Sequence, residues 1–276
     1  MSARYQTLFG GTAASRTAVI PFLVLGDPDF ETSARLLDAL ADAGIDAIEL
    51  GLPFSDPVAD GPVIQAASVR ALAAGATPER GWRLVERLRQ RAPELPIGLL
   101  VYANLVVHRG ISEFYRRAAE ARADSVLVAD VPLAEADPFL AEAARHGIAP
   151  VMIAPPNASA ERLERIAQVT RGYTYVTSRA GVTGTRGPDP DLLGPTLARL
   201  RALGAPPPVL GFGISDPEHV CTAARLGARG VIIGSALIGR IEAARCAGDD
   251  PAVRAADFIG ALRTASIAEG RPTVEH

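Results

Sequence analysis

Two carboxylates stand eleven residues apart in the segment ELGLPFSDPVADGP, residues 49–62. Glu49 closes an apolar run that reads as a strand, and Asp60 follows in a loop rich in Pro, Gly and Asp. A carboxylate at the end of a buried strand is costly to desolvate unless something uses it. Two of them, one on a strand end and one on a loop able to fold over a cavity, suit general acid–base chemistry on a bound substrate. The plainer readings are an ion pair for Glu49 and a turn or N-cap role for Asp60, ahead of a helix beginning near Pro62; Asp56, in SDP, fits a turn better still. Metal ligation is disfavoured: of His108, His146, His219 and His276, only His108 falls near the strand ends that would carry the site.

Glycines further along suggest a place for a phosphate. GFGIS (211–215) follows one predicted strand, and IIGSAL (232–237) follows the next and opens a helix. Backbone N–H groups at Gly213 and Gly234, the Ser235 hydroxyl and the positive helix end could hold an anion together; tight turns alone are the plainer alternative. Between these and the carboxylates lies SRAGVTGTRGPDP (178–190), whose composition suits a water-excluding lid. Gly184 would add an N–H there, and Arg179 or Thr183 would order the closed form. An ordinary surface loop is the competing reading.

Positioning such groups takes a scaffold of alternating elements. Apolar β-rich runs occur at 18–26, 46–51, 96–102, 124–131, 149–154, 173–178, 208–213 and 230–235. They are apolar on both faces, as in a parallel sheet covered by helices. Amphipathic stretches separate them. The segment 31–44 puts Ala34, Leu37, Leu40 and Ala41 on one face, and 133–147, 158–169 and 216–227 behave alike. Gly44, Gly147 and Gly227 supply helix-ending signals before the next strand. Eight β/α units predict an α/β fold, a (β/α)8 TIM barrel formed as a single domain over 1–276, with a core at about 16–265. An open doubly wound sheet is the runner-up. ARYQTLFGG reads as a short N-terminal plug helix under the barrel, and 249–268 as an extra C-terminal helix outside it. In a barrel the site lies at the strand C-terminal ends, which here bring Phe22, Asp27, Glu49, Asp60, Tyr102, Asn104, Ala129, Asp130, Ile153, Tyr175, Gly211, Gly213, Gly234 and Ser235 to one face.

Composition narrows the function. The chain has 276 residues, 48% hydrophobic and 21% charged, with a net charge of −3, so the electrostatic footprint of nucleic-acid binding is missing. All 28 basic residues are arginine. Two cysteines, Cys221 and Cys246, form no CxxC pair and fit a reducing cytoplasm. The N-terminal segment lacks the apolar stretch of a signal peptide, and no run of 18 apolar residues suggests a membrane span.

ELGLPFSDPVADGPVIQ, together with GLLVYANL (98–105), DSVLVADVP (124–132), PPN (155–157), GYTYVTSRAGVTG (172–184), GFGIS and GSA (234–236), strongly resembles the α subunits of tryptophan synthases over roughly residues 3–265. The resemblance implies a lyase that cleaves indole-3-glycerol phosphate to indole and glyceraldehyde 3-phosphate. It makes Glu49 the acid–base catalyst and Asp60 the partner of the indole N–H. It implies an aromatic pocket at Phe22 and Tyr175, apolar lining at Leu100, Leu127, Ala129 and Ile153, phosphate ligands at Gly184, Gly213, Gly234 and Ser235, and a lid threonine at Thr183. It implies no cofactor in this chain, and an α2β2 complex in which indole passes to a β subunit carrying pyridoxal phosphate. Pro53–Asp60 and Tyr102–His108, including Phe54, Asp56 and Asn104, would face that partner. Val24 stands where many members have Thr and His108 where Asn is common; neither touches the two carboxylates. A stand-alone lyase releasing free indole would share every site residue. A sugar-phosphate epimerase or aldolase is disfavoured by the missing metal cluster and lysine, and a dead scaffold by retention of both carboxylates.

Overall fold

The computed structural model describes residues 2–10, 16–177, 188–211 and 213–268. The chain begins with α1 (Ala3–Gly10), β1 (Ala18–Val24), α2 (Phe30–Asp42), β2 (Ile48–Gly51), α3 (Pro62–Ala73), α4 (Pro78–Arg91), β3 (Ile97–Val101), α5 (Ala103–Val107), α6 (Ile111–Glu120) and β4 (Ser125–Val128). It continues through α7 (Asp137–His146), β5 (Ala149–Pro150), β6 (Ile153–Ala154), α8 (Ala160–Val169), β7 (Thr174–Val176) and α9 (Pro190–Ala202). Then come β8 (Pro208–Leu210), α10 (Pro217–Arg225), β9 (Gly230–Ile233), α11 (Ser235–Ala247) and α12 (Pro251–Ala268).

The strands pair in parallel in the order β5-β4-β3-β2-β1-β9-β8-β7-β6. The two ends of that order are consecutive pieces of one extended segment. β5 pairs with β4 and β6 with β7. At the join, the Val151 N–H donates to the Val126 carbonyl at 3.0 Å and the Tyr175 N–H to the Met152 carbonyl at 3.1 Å. The ring therefore closes as a (β/α)8 barrel. The strand expected over 149–154 is corrected to two short pieces, because Pro150 has no N–H to give a ladder. The helix expected over 133–147 is likewise corrected to a 3₁₀ turn, Leu133–Glu135, and then α7. Pro138 belongs in a helix first turn, not an interior.

Two apolar shells follow from strand alternation. Val19, Leu23, Leu50, Leu99 and Val231 face the helices, where α2 buries Ala34, Leu37 and Leu40. Ile20, Phe22, Val24, Leu127, Tyr173, Tyr175 and Ile232 fill the barrel interior with Tyr5 and Phe9 of α1, so this helix plugs the barrel. Gly44, Gly147 and Gly227 take φ of +68°, +69° and +85° just after α2, α7 and α10, the left-handed conformation that lets each helix turn into its strand. Three aspartates tie neighbouring β/α units together. Asp46 accepts from the Val19 N–H at 2.8 Å, Asp124 from Ile97 at 2.9 Å and Asp130 from Ala103 at 2.7 Å.

Candidate active site

Register places Glu49 inside the barrel. Phe22 on β1, Glu49 on β2, Gly98 on β3 and Ser125 on β4 are successive partners in one layer. Gly98 is needed there: a Cβ would lie 2.9 Å from Ser125 Oγ and 3.2 Å from the Tyr5 hydroxyl. Glu49 is 1% exposed. The Tyr173 hydroxyl donates to its Oε1 at 2.6 Å, while Oε2 is buried without a hydrogen-bond partner. Burial dominates and pushes the carboxyl up to about 7; the Tyr173 bond pulls it down and the Asp60 charge pushes it up.

Asp60 is not an N-cap. Gly61 occupies that position, and α3 starts at Pro62. The Asp60 carboxylate is instead held by the Tyr102 hydroxyl, which also accepts from the Ala59 N–H at 3.1 Å. Phe54 stacks on the Tyr102 ring at 5.3 Å. Asp60 is only partly buried on its loop, and desolvation raises its carboxyl to about 6. Asp27, also expected at the strand ends, is engaged in a structural pair. It is buried in a bidentate pair with Arg70 of α3, at 2.8 and 2.9 Å, and so braces the helix that follows Asp60.

One cavity gathers much of the expected set. Phe22, Glu49, Leu100 and Tyr175 line one end, and Gly213, Gly234 and Ser235 the other. Leu127, Ala129 and Ile153 pack in the same interior cluster without reaching the cavity wall. Asp60 is also off the wall, though its charge is felt at both Glu49 and Tyr175. Arg179, Thr183 and Gly184, with the rest of 178–187 in the lid expected over 178–190, lie outside the described residues. Tyr175 donates to the Gly211 carbonyl at 2.8 Å, and a Cβ on Gly211 would fall 2.0 Å from its ring, so only glycine fits beneath it. The glycine end is an anion cradle in form. Gly234 caps α11 with no side-chain bond, leaving the first-turn N–H groups directed at the cavity.

Sequence reasoning missed Tyr173, Ile64, Ile232 and Ser215 in this site. The pattern YTY offered two tyrosines of equal parity, and Tyr173 was the one not chosen. Among the described residues no cluster of His, Cys, Asp and Glu could hold a metal ion, and no helix is long and apolar enough to cross a membrane. Removing the Tyr173 hydroxyl takes away a bond to the charged form of Glu49. Tyr173→Phe is therefore expected to raise the Glu49 titration above 7, read by NMR of ¹³C-labelled glutamate carboxyls; an unchanged or lowered midpoint would contradict the geometry.

The family described as tryptophan synthase alpha chain matches residues 10–265. The chain belongs to this tryptophan synthase alpha chain family. It is 54% identical over 241 residues to the tryptophan synthase alpha chain of Shewanella amazonensis, covering 87% of this chain and 91% of the relative. The alpha subunit from Legionella pneumophila strain Paris superposes with a TM-score of 0.87 at 33% identity, covering 96% and 97% of the two chains. A chain of the tryptophan synthase a2b2 complex from the hyperthermophile Pyrococcus furiosus gives 0.81 at 33% identity, covering 90% and 98%. As a tryptophan synthase alpha chain, the protein is a lyase that catalyses the alpha reaction of tryptophan biosynthesis.

Proposed function

We propose that the cavity cleaves indole-3-glycerol phosphate by a retro-aldol reaction, with Glu49 moving the protons and Asp60 steadying the ring. The observation that carries this is a buried carboxyl, with one oxygen unpartnered, facing a glycine-lined helix N-terminus across one cavity. A carboxyl raised to about 7 can both hold and release a proton near neutral pH. Glu49 gives that proton to indole C3, so the ring becomes an indolenine cation. Glu49 then takes the proton from the glycerol hydroxyl as the carbon–carbon bond breaks. The bond's electron pair returns to the indole ring, and the hydroxyl carbon becomes the aldehyde of glyceraldehyde 3-phosphate. Asp60 faces the indole N–H and stabilises its developing positive charge. Phe22, Leu100 and Tyr175, with Leu127, Ala129 and Ile153 around them, take the ring. Gly213, Gly234 and Ser235, joined by Gly184, hold the phosphate, and Thr183 orders the lid.

Asp60→Asn is expected to cut kcat about 10²-fold, the usual loss when one preorganised electrostatic group is removed. It also removes a charge that raises Glu49, so the alkaline limb of the pH–rate profile should move down. A profile unchanged in both respects would exclude Asp60 from the reaction.

The partner we propose is a β subunit holding pyridoxal phosphate, met in an α2β2 complex within the cytoplasm. A second cavity of about 560 Å³ supports this. It is framed by Phe54 on the 53–60 loop and by Asn104, Val107 and His108 beside α5. Val107 on its wall is 45% exposed and Val58 on the 53–60 loop 71%, apolar surface that a partner would cover. Indole release measured with and without a β subunit tests the whole reading. Strong stimulation supports an alpha chain working in a complex, whereas full turnover of the isolated chain favours a stand-alone lyase; no release in either case would overturn the reaction.

A further inference from the structure

His219 takes no part in the reaction above, yet its ring bonds Ser215, which lines the glycine end of the cavity. It is the third residue of α10. Its Nδ1 accepts from the Ser215 backbone N–H at 3.3 Å and lies 3.3 Å from Ser215 Oγ. In return, Asp216, the N-cap of α10, accepts from the His219 N–H at 3.2 Å through Oδ1 and from the Ser215 hydroxyl at 3.3 Å through Oδ2. The arrangement is a reciprocal lock like a capping box, but the side chain reaches one residue further back, into the loop after β8.

That loop is the one that needs locking. Ser215 lines the cavity together with Gly211 and Gly213, and Gly213 sits at φ +79°, where a glycine can swivel. Tying the Ser215 N–H to an imidazole fixes the Ile214–Ser215 peptide in one orientation. The N–H groups before it are then held for a ligand instead of turning when the ligand arrives. Amides already aimed at an anion bind it more tightly than amides that must first reorient. The same Nδ1 also lies 3.3 Å from Asp216 Oδ2, so the ring is seated against both the loop and the N-cap.

We propose that His219 is a positioning residue for the phosphate end of the substrate, holding the Gly213–Ser215 backbone in its anion-binding conformation through the Ser215 amide. This rests on reading that end of the cavity as the phosphate site.

The test separates the acceptor from the rest of the side chain. Asn places its Oδ1 where imidazole carries Nδ1, so His219→Asn keeps the acceptor. His219→Leu removes it, and His219→Ala is a second loss variant without added bulk. Calorimetric titration of the full chain with glycerol 3-phosphate is paired with steady-state cleavage of indole-3-glycerol phosphate. Loss of one neutral hydrogen bond predicts that His219→Leu and His219→Ala raise Kd and KM about five- to tenfold. Their kcat should stay within about twofold, and His219→Asn should return Kd and KM to within about twofold of wild type. Unchanged Kd and KM in both loss variants would overturn the proposal, as would a fall in kcat matching the rise in KM, or failure of Asn to restore binding. A wild-type chain that does not bind glycerol 3-phosphate at all overturns the phosphate reading itself, and the proposal with it.

Discussion

Replacing Glu49 by Gln is expected to cut indole release at least about 10²-fold while making the protein more stable above neutral pH. The two effects have one origin. Glu49 is enclosed by the barrel interior, and its carboxyl is pushed from 4.5 to about 7. The same burial that, in the proposed reaction, lets it hold a proton for indole C3 penalises its charged form. A group whose folded pKa lies above its unfolded value favours folding fully below the unfolded pKa and loses that contribution as pH rises through the folded one. The window here runs from 4.5 to about 7, and the shift corresponds to about 3 kcal/mol. Glutamine keeps the shape and never ionises. Urea unfolding at pH 5 and pH 8.5 should show the variant gaining on wild type mainly at the higher pH, and glycerol 3-phosphate binding should survive. Activity above a few per cent would remove Glu49 as the proton donor. Equal stability differences at both pH values would contradict its burial as a titrating group.

Asp124→Ala is expected to be the most destabilising of the changes considered, by about 3–5 kcal/mol. Asp124 is buried just before β4 and joins three parts of the chain. It accepts from the Ile97 N–H at 2.9 Å, from Arg89 of α4 at 2.8 Å and from Arg4 of α1 at 3.1 Å. Arg89 is 3% exposed. It would keep its bonds to the Arg122, Pro93 and Leu95 carbonyls but lose the charge that compensates it. Domains of this kind hold only about 5–15 kcal/mol in total, so the loss should appear as a large fall in urea midpoint. Asp130→Ala, which removes a bond to the Ala103 N–H and leaves no buried cation, should cost only about 1 kcal/mol. Comparable losses in the two variants would mean that the Arg89 charge is not what matters.

Some of this was readable in the residues themselves. The succession of apolar runs and amphipathic stretches, with the glycines at 44, 147 and 227, is a local signal, set by hydrophobic periodicity and backbone sterics, and it predicted the barrel. Glu49 and the glycines at 213 and 234 were legible because each breaks a local rule: a charge in an apolar strand, and bare backbone at a helix start. What was hidden depends on partners distant in sequence. Asp27 belongs to Arg70, 43 residues on, and nothing nearby announces the pairing. Tyr102 reads only as a residue of the site face and Tyr173 as an ordinary strand aromatic until the ring closes and their hydroxyls meet Asp60 and Glu49. The division of the 149–154 segment turned on one missing N–H at Pro150, whose effect depends on which neighbour it faces.

The plug helix carries a further consequence. Tyr5 packs edge-on against Tyr173, with ring centroids 5.6 Å apart, and shares a 2.9 Å hydrogen bond with Ser125. Tyr173 in turn holds Glu49. The floor of the barrel and the Glu49 carboxyl are thus two contacts apart, although Tyr5 and Ser125 are separated by 120 residues of chain. The first helix is more than a stopper: a chimaera that exchanged residues 3–10 would also exchange the ring packed beneath the tyrosine that holds the buried glutamate.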